Sequence, residues 1–275
     1  MSGSLAAELL VLRKRSSTWI LLAIWTALAL FFSYAVPYVT YRNGDASVSL
    51  GELLPERFVG TVSGGFPFFG GVFALMLGVL ALGSEYSWGT LRALFTQRPG
   101  RLQVFAAKLL ALALGLVPFV LAVFAAGALA SFVIALAEGA DQKWPSAWLL
   151  VRALGAGWLI LAAWASLGIL LAALSRGTAL AIGVGILYAL VIEGLLSAFA
   201  DQVSVLEPLV KFFVRANAYS LVKGLGVSVA DIASDGPGAF SGPYVAGEQA
   251  LLVLTAYIAV FVLVSGLLLR RRDVT

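Results

Sequence analysis

The sequence predicts an all-α membrane protein with six transmembrane helices, an N-terminal amphipathic helix and a short cytoplasmic helix between spans two and three. Three observations carry that prediction. The 275 residues are 61% hydrophobic and only 12% charged. Apolar runs long enough to cross a hydrocarbon core of about 30 Å recur along nearly the whole chain. The charges cluster in the gaps between those runs, as they must where a charge at the centre of a bilayer costs about 2.5–3.5 kcal/mol or more. Residues 1–275 therefore read as a single transmembrane domain.

The six runs are residues 19–38, 66–84, 104–136, 147–174, 178–199 and 249–269. The third would be about 50 Å long as a helix, so it must tilt, bend or protrude. Gly115 and Pro118 lie within it. Proline removes a backbone donor and clashes with the preceding turn, so a kink is expected there, serving either plain packing or a hinge. Only Ser175, Arg176 and Gly177 separate the fourth and fifth runs, which requires a tight antiparallel hairpin. Small residues let helices approach closely in lipid. Gly70, Ala74 and Gly78 form one such stripe in the second run, and Ala181, Gly185, Ala189, Glu193 and Ser197 another in the fifth.

The distribution of Lys and Arg sets the orientation. With six spans both termini share a side. That side holds Arg13, Lys14, Arg15, Arg92, Arg98, Arg101, Lys108, Arg176, Arg270, Arg271 and Arg272, beside only Glu8, Glu85 and Asp273. The opposite side carries the remaining seven of the 18 basic residues among most of the acids. Both termini are expected in the cytoplasm. The net charge of +4 is thus accounted for by topology and gives no sign of nucleic acid. The first apolar run is too long for a signal-peptide core and reads as a retained span.

Before the first span, Leu5, Leu9 and Leu12 recur near helical spacing and Arg13, Lys14 and Arg15 follow. Such a segment suits an interfacial helix, with Trp19 as an aromatic anchor, or else a basic tail. On the outer side, Val203, Leu206, Leu209, Val210, Phe213 and Val214 alternate with Asp201, Glu207, Lys211 and Arg215 in the pattern of an amphipathic helix over residues 203–216. Downstream, Asp235 to Pro243 is rich in Gly and Pro and must turn.

The chain has no Cys and no His. Thiol catalysis, disulfides, His-Glu-x-x-His zinc sites and bis-histidine haem are excluded, and a copper pathway lacks its soft ligands. Inside the spans, Glu193 is the main ionisable candidate. Lying near the outer end of the fifth span, with Arg152 near the outer end of the fourth, it has two readings: a group on a substrate path, or half of a structural ion pair.

The polar insert between spans two and three is the most informative segment. Glu85, Arg92, Arg98, Arg101 and Lys108 crowd into it. A short helix is expected over 86–97, stopped by Pro99-Gly100, with Trp88, Leu91, Leu94 and Phe95 on one apolar face. Anchored at both ends to spans, it is a lever. Glu85 would cap that helix or pair with Arg92.

The run Glu85-Tyr86-Ser87-Trp88-Gly89-Thr90-Leu91-Arg92, followed by Arg101 and by Ala107-Lys108-Leu109, resembles the pattern of ABC-2 type permeases, the membrane subunits of ATP-binding cassette exporters. Arg15-Ser-Ser-Thr-Trp-Ile20 is similar to the start of that family's first span. The resemblance implies that two six-span permeases pair, as homodimer or heterodimer, each resting on a cytoplasmic ATPase. It makes the N-terminal segment an elbow helix and residues 86–97 a coupling helix seated in the ATPase. Glu85, Gly89, Thr90, Leu91, Arg92, Arg101 and Lys108 are the matching positions; Tyr86, Arg98 and the apolar-face anchors Trp88 and Phe95 complete the expected coupling set. It also implies a multi-pass protein of a bacterial cell membrane, in contact with its lipids.

The chain has no Gly-x-x-x-x-Gly-Lys-Ser/Thr loop, so it holds no cofactor of its own by that route. ATP and Mg are expected in the partner ATPase. Sparse aliphatic and aromatic spans favour a hydrophobic or amphipathic cargo. Two other readings stand beside an exporter subunit. One is a membrane anchor for an ATPase; the other is an intramembrane enzyme, which lacks a His base and a second carboxylate beside Glu193.

Overall fold

A computed structural model describes residues 2–87, 100–200, 202–203, 205–227, 240 and 242–271. Among these, all regular structure is helical, and six helices are long and apolar enough to cross a membrane. Helix α1 (Ser2–Lys14) precedes the spans. The spans are α2 (Ser16–Arg42), α3 (Phe58–Tyr86), α4 (Arg101–Ala137), α5 (Ala147–Ser175), α6 (Ala179–Ala198) and α9 (Gly247–Arg271). Between α6 and α9 the described residues include two short helices, α7 (Leu206–Val210) and α8 (Val214–Lys223). The sequence pattern suggests one helix over 203–216; the structure breaks it at residues 211–213 and carries the second helix on to Lys223.

Helices α3 and α5 form the centre, the most buried of the six spans. Their backbones touch. A Cβ on Gly78 would lie 2.0 Å from the carbonyl oxygen of Ala165, and one on Gly168 would lie 2.2 Å from that of Leu75. Higher up the same pair, Gly70 faces Leu161 and Trp25, while Gly71 faces the Trp164 ring. The stripe of small residues in the second span is therefore the seam against the fourth, where close approach gives dispersion contacts that lipid cannot replace.

The other spans surround this pair. Ala181, Gly185, Ala189, Glu193 and Ser197 are the buried residues of α6, while Leu180, Val184, Leu187, Val191 and Leu195 face outward. The α5–α6 hairpin closes in the manner its three-residue gap demands. Arg176 ends α5 with a left-handed φ of 55°, and its N–H donates to the carbonyl of Ala172. The turn lies against Gly83 of α3, where a Cβ would meet Gly177 O at 3.0 Å.

Helix α4 runs unbroken for 37 residues through Pro118. The Trp158 indole of α5 donates to the carbonyl of Ala113, 2.9 Å away, in the turn before that proline. The bond falls one residue before Leu114, whose carbonyl loses its ladder donor to Pro118, and ties α5 to α4 beside the proline. π-Helical turns interrupt three spans, at Phe31–Ala35, Phe66–Gly70 and Tyr188–Ile192.

The seam yields a direct prediction. Gly78→Val must displace the Ala165 backbone and should cost at least about 1–3 kcal/mol, the usual penalty of overpacking. Gly183, where a Cβ meets nothing within 4 Å, is the control. Thermal unfolding in detergent should show a lowered midpoint for Gly78→Val and none for Gly183→Ala; equal midpoints would rule out the backbone seam.

Candidate functional site: a charge clamp where span two ends and span three begins

Three charged side chains from three helices meet where α3 ends and α4 begins. The Lys108 ammonium donates to Glu85 at 2.5 Å and to Glu8 at 2.8 Å. Lys108 is buried, its side chain 6% exposed, and the carboxylates are nearly so. Two carboxylates share one cation, so the charges are paired although desolvated.

Each helix places its member for a local reason. Glu85 stands in the last turn of α3, and Lys108 lies two turns into α4, on the face carrying buried Val104, Ala111 and Leu112. Glu8 shares the half-buried face of α1 with Leu5, Leu9 and Leu12. That leucine face packs on protein: Leu12 lies 3.2 Å from where a Cβ on Gly115 would stand. Beside the clamp, Arg15 donates to the carbonyl of Leu80 at 2.8 Å, and the Ser84 hydroxyl donates to the same oxygen at 2.7 Å. Burial lowers the Arg15 pKa, with the Glu85 charge opposing. A cavity of about 200 Å³ opens among these groups.

The sequence pairs Glu85 with Arg92 or with the end of the short helix. Arg92 and most of that helix lie outside the described residues; among those described, Lys108 and Glu8 are neighbours of Glu85. Glu8 is the residue sequence reasoning missed; the available signal was a lone acid among the leucines of a basic helix. Trp88, Gly89, Thr90, Leu91, Arg92, Phe95 and Arg98, and most of the helix expected over 86–97, lie outside the described residues. Tyr86 packs against the main core, and Arg101 begins α4. The clamp thus joins the two ends of the segment 88–99 and fastens both to α1. Trp19, on the exposed surface just beyond, donates its indole N–H to the carbonyl of Arg13.

A second centre lies at the other end of the bundle. Glu193 is completely buried. Its Oε1 accepts from the Tyr188 hydroxyl at 2.6 Å and from the Val214 N–H at 2.9 Å, and its Oε2 accepts from the Arg215 N–H at 2.9 Å. A carboxylate of α6 therefore caps the first turn of α8, a helix that has no cap from its own chain neighbours. The Arg215 guanidinium lies 4.7 Å from the ring centre of Phe68 in α3 and 5.8 Å from that of Tyr219. Burial raises the Tyr219 pKa, partly offset by Arg215. The ion pair between Glu193 and Arg152 is not formed: Arg152 instead donates to the carbonyl of Gly224 at 3.3 Å. Two backbone donors and a phenol satisfy Glu193 locally, so it needs no cation from α5.

Two substitutions separate these centres. Lys108→Ala strands two buried carboxylates and should cost about 3–5 kcal/mol, whereas Glu8→Gln, which leaves Glu85 in place, should cost about 1 kcal/mol. Thermal unfolding midpoints test the order, and equal losses would contradict a shared cation. Glu193→Gln places an NH2 against a backbone N–H and should weaken the cap by about 1.5–3 kcal/mol. Hydrogen exchange at Val214 and Arg215 should then accelerate, and unchanged exchange would rule out the cap.

Comparison with curated protein sequences finds no match. The profile of the family described as ABC-2 family transporter protein matches residues 4–192, well over half of the chain. The match includes Glu8, Glu85 and Lys108 and ends one residue before Glu193. With six apolar helices around a glycine seam and a charge clamp inside the matched region, the chain belongs to the ABC-2 transporter family and is a multi-pass membrane permease of that family.

Proposed function

We propose that this permease is the membrane subunit of an ATP-driven exporter, pairing with a second permease copy or a related one and drawing its energy from a separate cytoplasmic ATPase that holds Mg and ATP. The observation that carries this reading is the clamp. Lys108 ties Glu85, Glu8 and its own helix together on either side of residues 88–99. A partner pressing on that segment would move α1, α3 and α4 as one body rather than bend one of them. ATP-dependent closure of the partner would then bias the bundle between two packings, with cargo exposed first inward and then outward.

Other features support the same reading. Trp88 and Phe95 supply the aromatic anchors that dominate protein interfaces. Arg13, Lys14, Arg270 and Arg271 stand in the last turns of α1 and α9, in keeping with a cytoplasmic position for both termini. The outward faces of α2, α6 and α9 are aliphatic and aromatic, which suits a hydrophobic or amphipathic cargo. Under this reading α1 is the elbow helix and residues 86–97 the coupling helix.

Two experiments test it. Trp88→Ala with Phe95→Ala should reduce co-purification of the ATPase by about tenfold or more without lowering the unfolding midpoint; undiminished association and transport would overturn the docking role. The chain lacks Cys, so a single Cys at the exposed Ala46, in the loop between the first two spans, reports orientation cleanly. An impermeant maleimide should label it from outside intact cells, and labelling only after lysis would reverse the orientation.

A further inference from the structure

Where α5, α8 and α9 meet, the helices part around a cleft of about 740 Å³ that neither the clamp nor the Glu193 cap uses. Its wall on α5 is Arg152, Gly155, Ala156 and Leu159. That spacing of three, four and seven residues is one face of a helix, headed by a cation and continued by small and aliphatic groups. The facing wall on α9 carries Glu248 at its first turn and Leu251 one turn on. The floor is the C-terminal end of α8, whose Gly224 passes so close to Gly247 that a Cβ would lie 2.9 Å from its Cα.

Three features specify the occupant. Trp144 and Trp148 are half-exposed or more at the start of α5, which sets this end of the bundle at the headgroup level. Arg152 and Glu248, of opposite charge, are both exposed at the cleft, and among the described residues the one hydrogen bond of Arg152 is the long one to Gly224. Beyond them the lining is apolar, and Gly155 borders empty space: a Cβ there meets nothing within 4 Å. A cavity of this volume with a polar mouth and an apolar body is the form of a small-molecule site.

We propose that the cleft seats one phospholipid with an amine in its headgroup, the phosphate against Arg152, the ammonium toward Glu248 and an acyl chain along Gly155, Ala156 and Leu251. Assigning that lipid to the outer leaflet rests on the orientation proposed above; the seat itself does not. A bound lipid would fill the gap beside the packed α5–α9 pair, at its end near α8.

The test uses delipidated protein in detergent, titrated with dioleoylphosphatidylethanolamine and read by native mass spectrometry. One lipid per subunit should be retained. Gly155→Phe fills the cleft and should reduce retention by about tenfold or more, while Gly155→Ala, which leaves room for a chain, should retain it. Arg152→Gln should lower retention several-fold, and Glu248→Gln should abolish the preference over dioleoylphosphatidylglycerol. Wild-type retention by folded Gly155→Phe overturns the seat, with Gly155→Leu read instead if the Phe variant does not fold. Phosphoethanolamine should not compete; if it displaces the lipid as effectively as the intact phospholipid does, the acyl seat is wrong and only a headgroup site remains. Maleimide labelling at residue 46, away from the cleft, tests the leaflet separately, because lipid counts in detergent do not depend on orientation.

Discussion

The ammonium of Lys108, held between Glu8 and Glu85, is the constraint on which this end of the molecule depends. A buried lysine with no partner is so costly that it would lose its proton or pull its helix toward water. Here one cation satisfies two carboxylates, and the three helices that supply them cannot separate without exposing or stranding a charge. Pairing of this kind adds little net stability compared with an apolar core, but it sets position strictly. Position matters here, because residues 88–99 leave from Ser87 and return at Gly100, on either side of the clamp.

Under the proposed function, the packing of the rest of the bundle would carry a displacement at this end through it. Helices α3 and α5 touch backbone to backbone at Gly78 and Gly168, so they cannot slide past one another without a clash. The α5–α6 turn lies against Gly83, one turn from the clamp residues. At the far end, Glu193 caps α8 while Arg215 lies over Phe68 of α3. A chain of hard contacts thus runs from Lys108 through α3 to the outer helices. Packed interfaces of this kind switch between arrangements rather than deform smoothly.

Much of this was legible in the sequence, because the bilayer imposes simple rules. Hydropathy gave six spans, the three residues 175–177 forced the hairpin, and the Gly70, Ala74, Gly78 and Ala181 to Ser197 stripes marked buried faces. What hydropathy cannot give is partner choice across space. Lys108 and Glu85 were both legible as important, yet Glu8 is 100 residues from its partner, and nothing local indicates that the leucine face of α1 would turn onto α4. Arg152 and Glu193 show the same limit. Both lie near the same end of neighbouring spans, but the carboxylate found backbone donors in α8, a helix whose start at Val214 the amphipathic pattern placed inside a longer one.

The claim that α1, α3 and α4 move as one body is tested most directly by distances measured in the proposed complex of paired permeases with an ATPase. Val11 on α1 and Leu102 on α4 are both exposed, and a chain free of Cys can be spin-labelled at those sites alone. Pulsed electron resonance should show the separation of residues 11 and 102 within one subunit unchanged on ATP binding, while the separation of residue 102 between paired permeases shifts. A change within the subunit as large as that between subunits would contradict the rigid clamp.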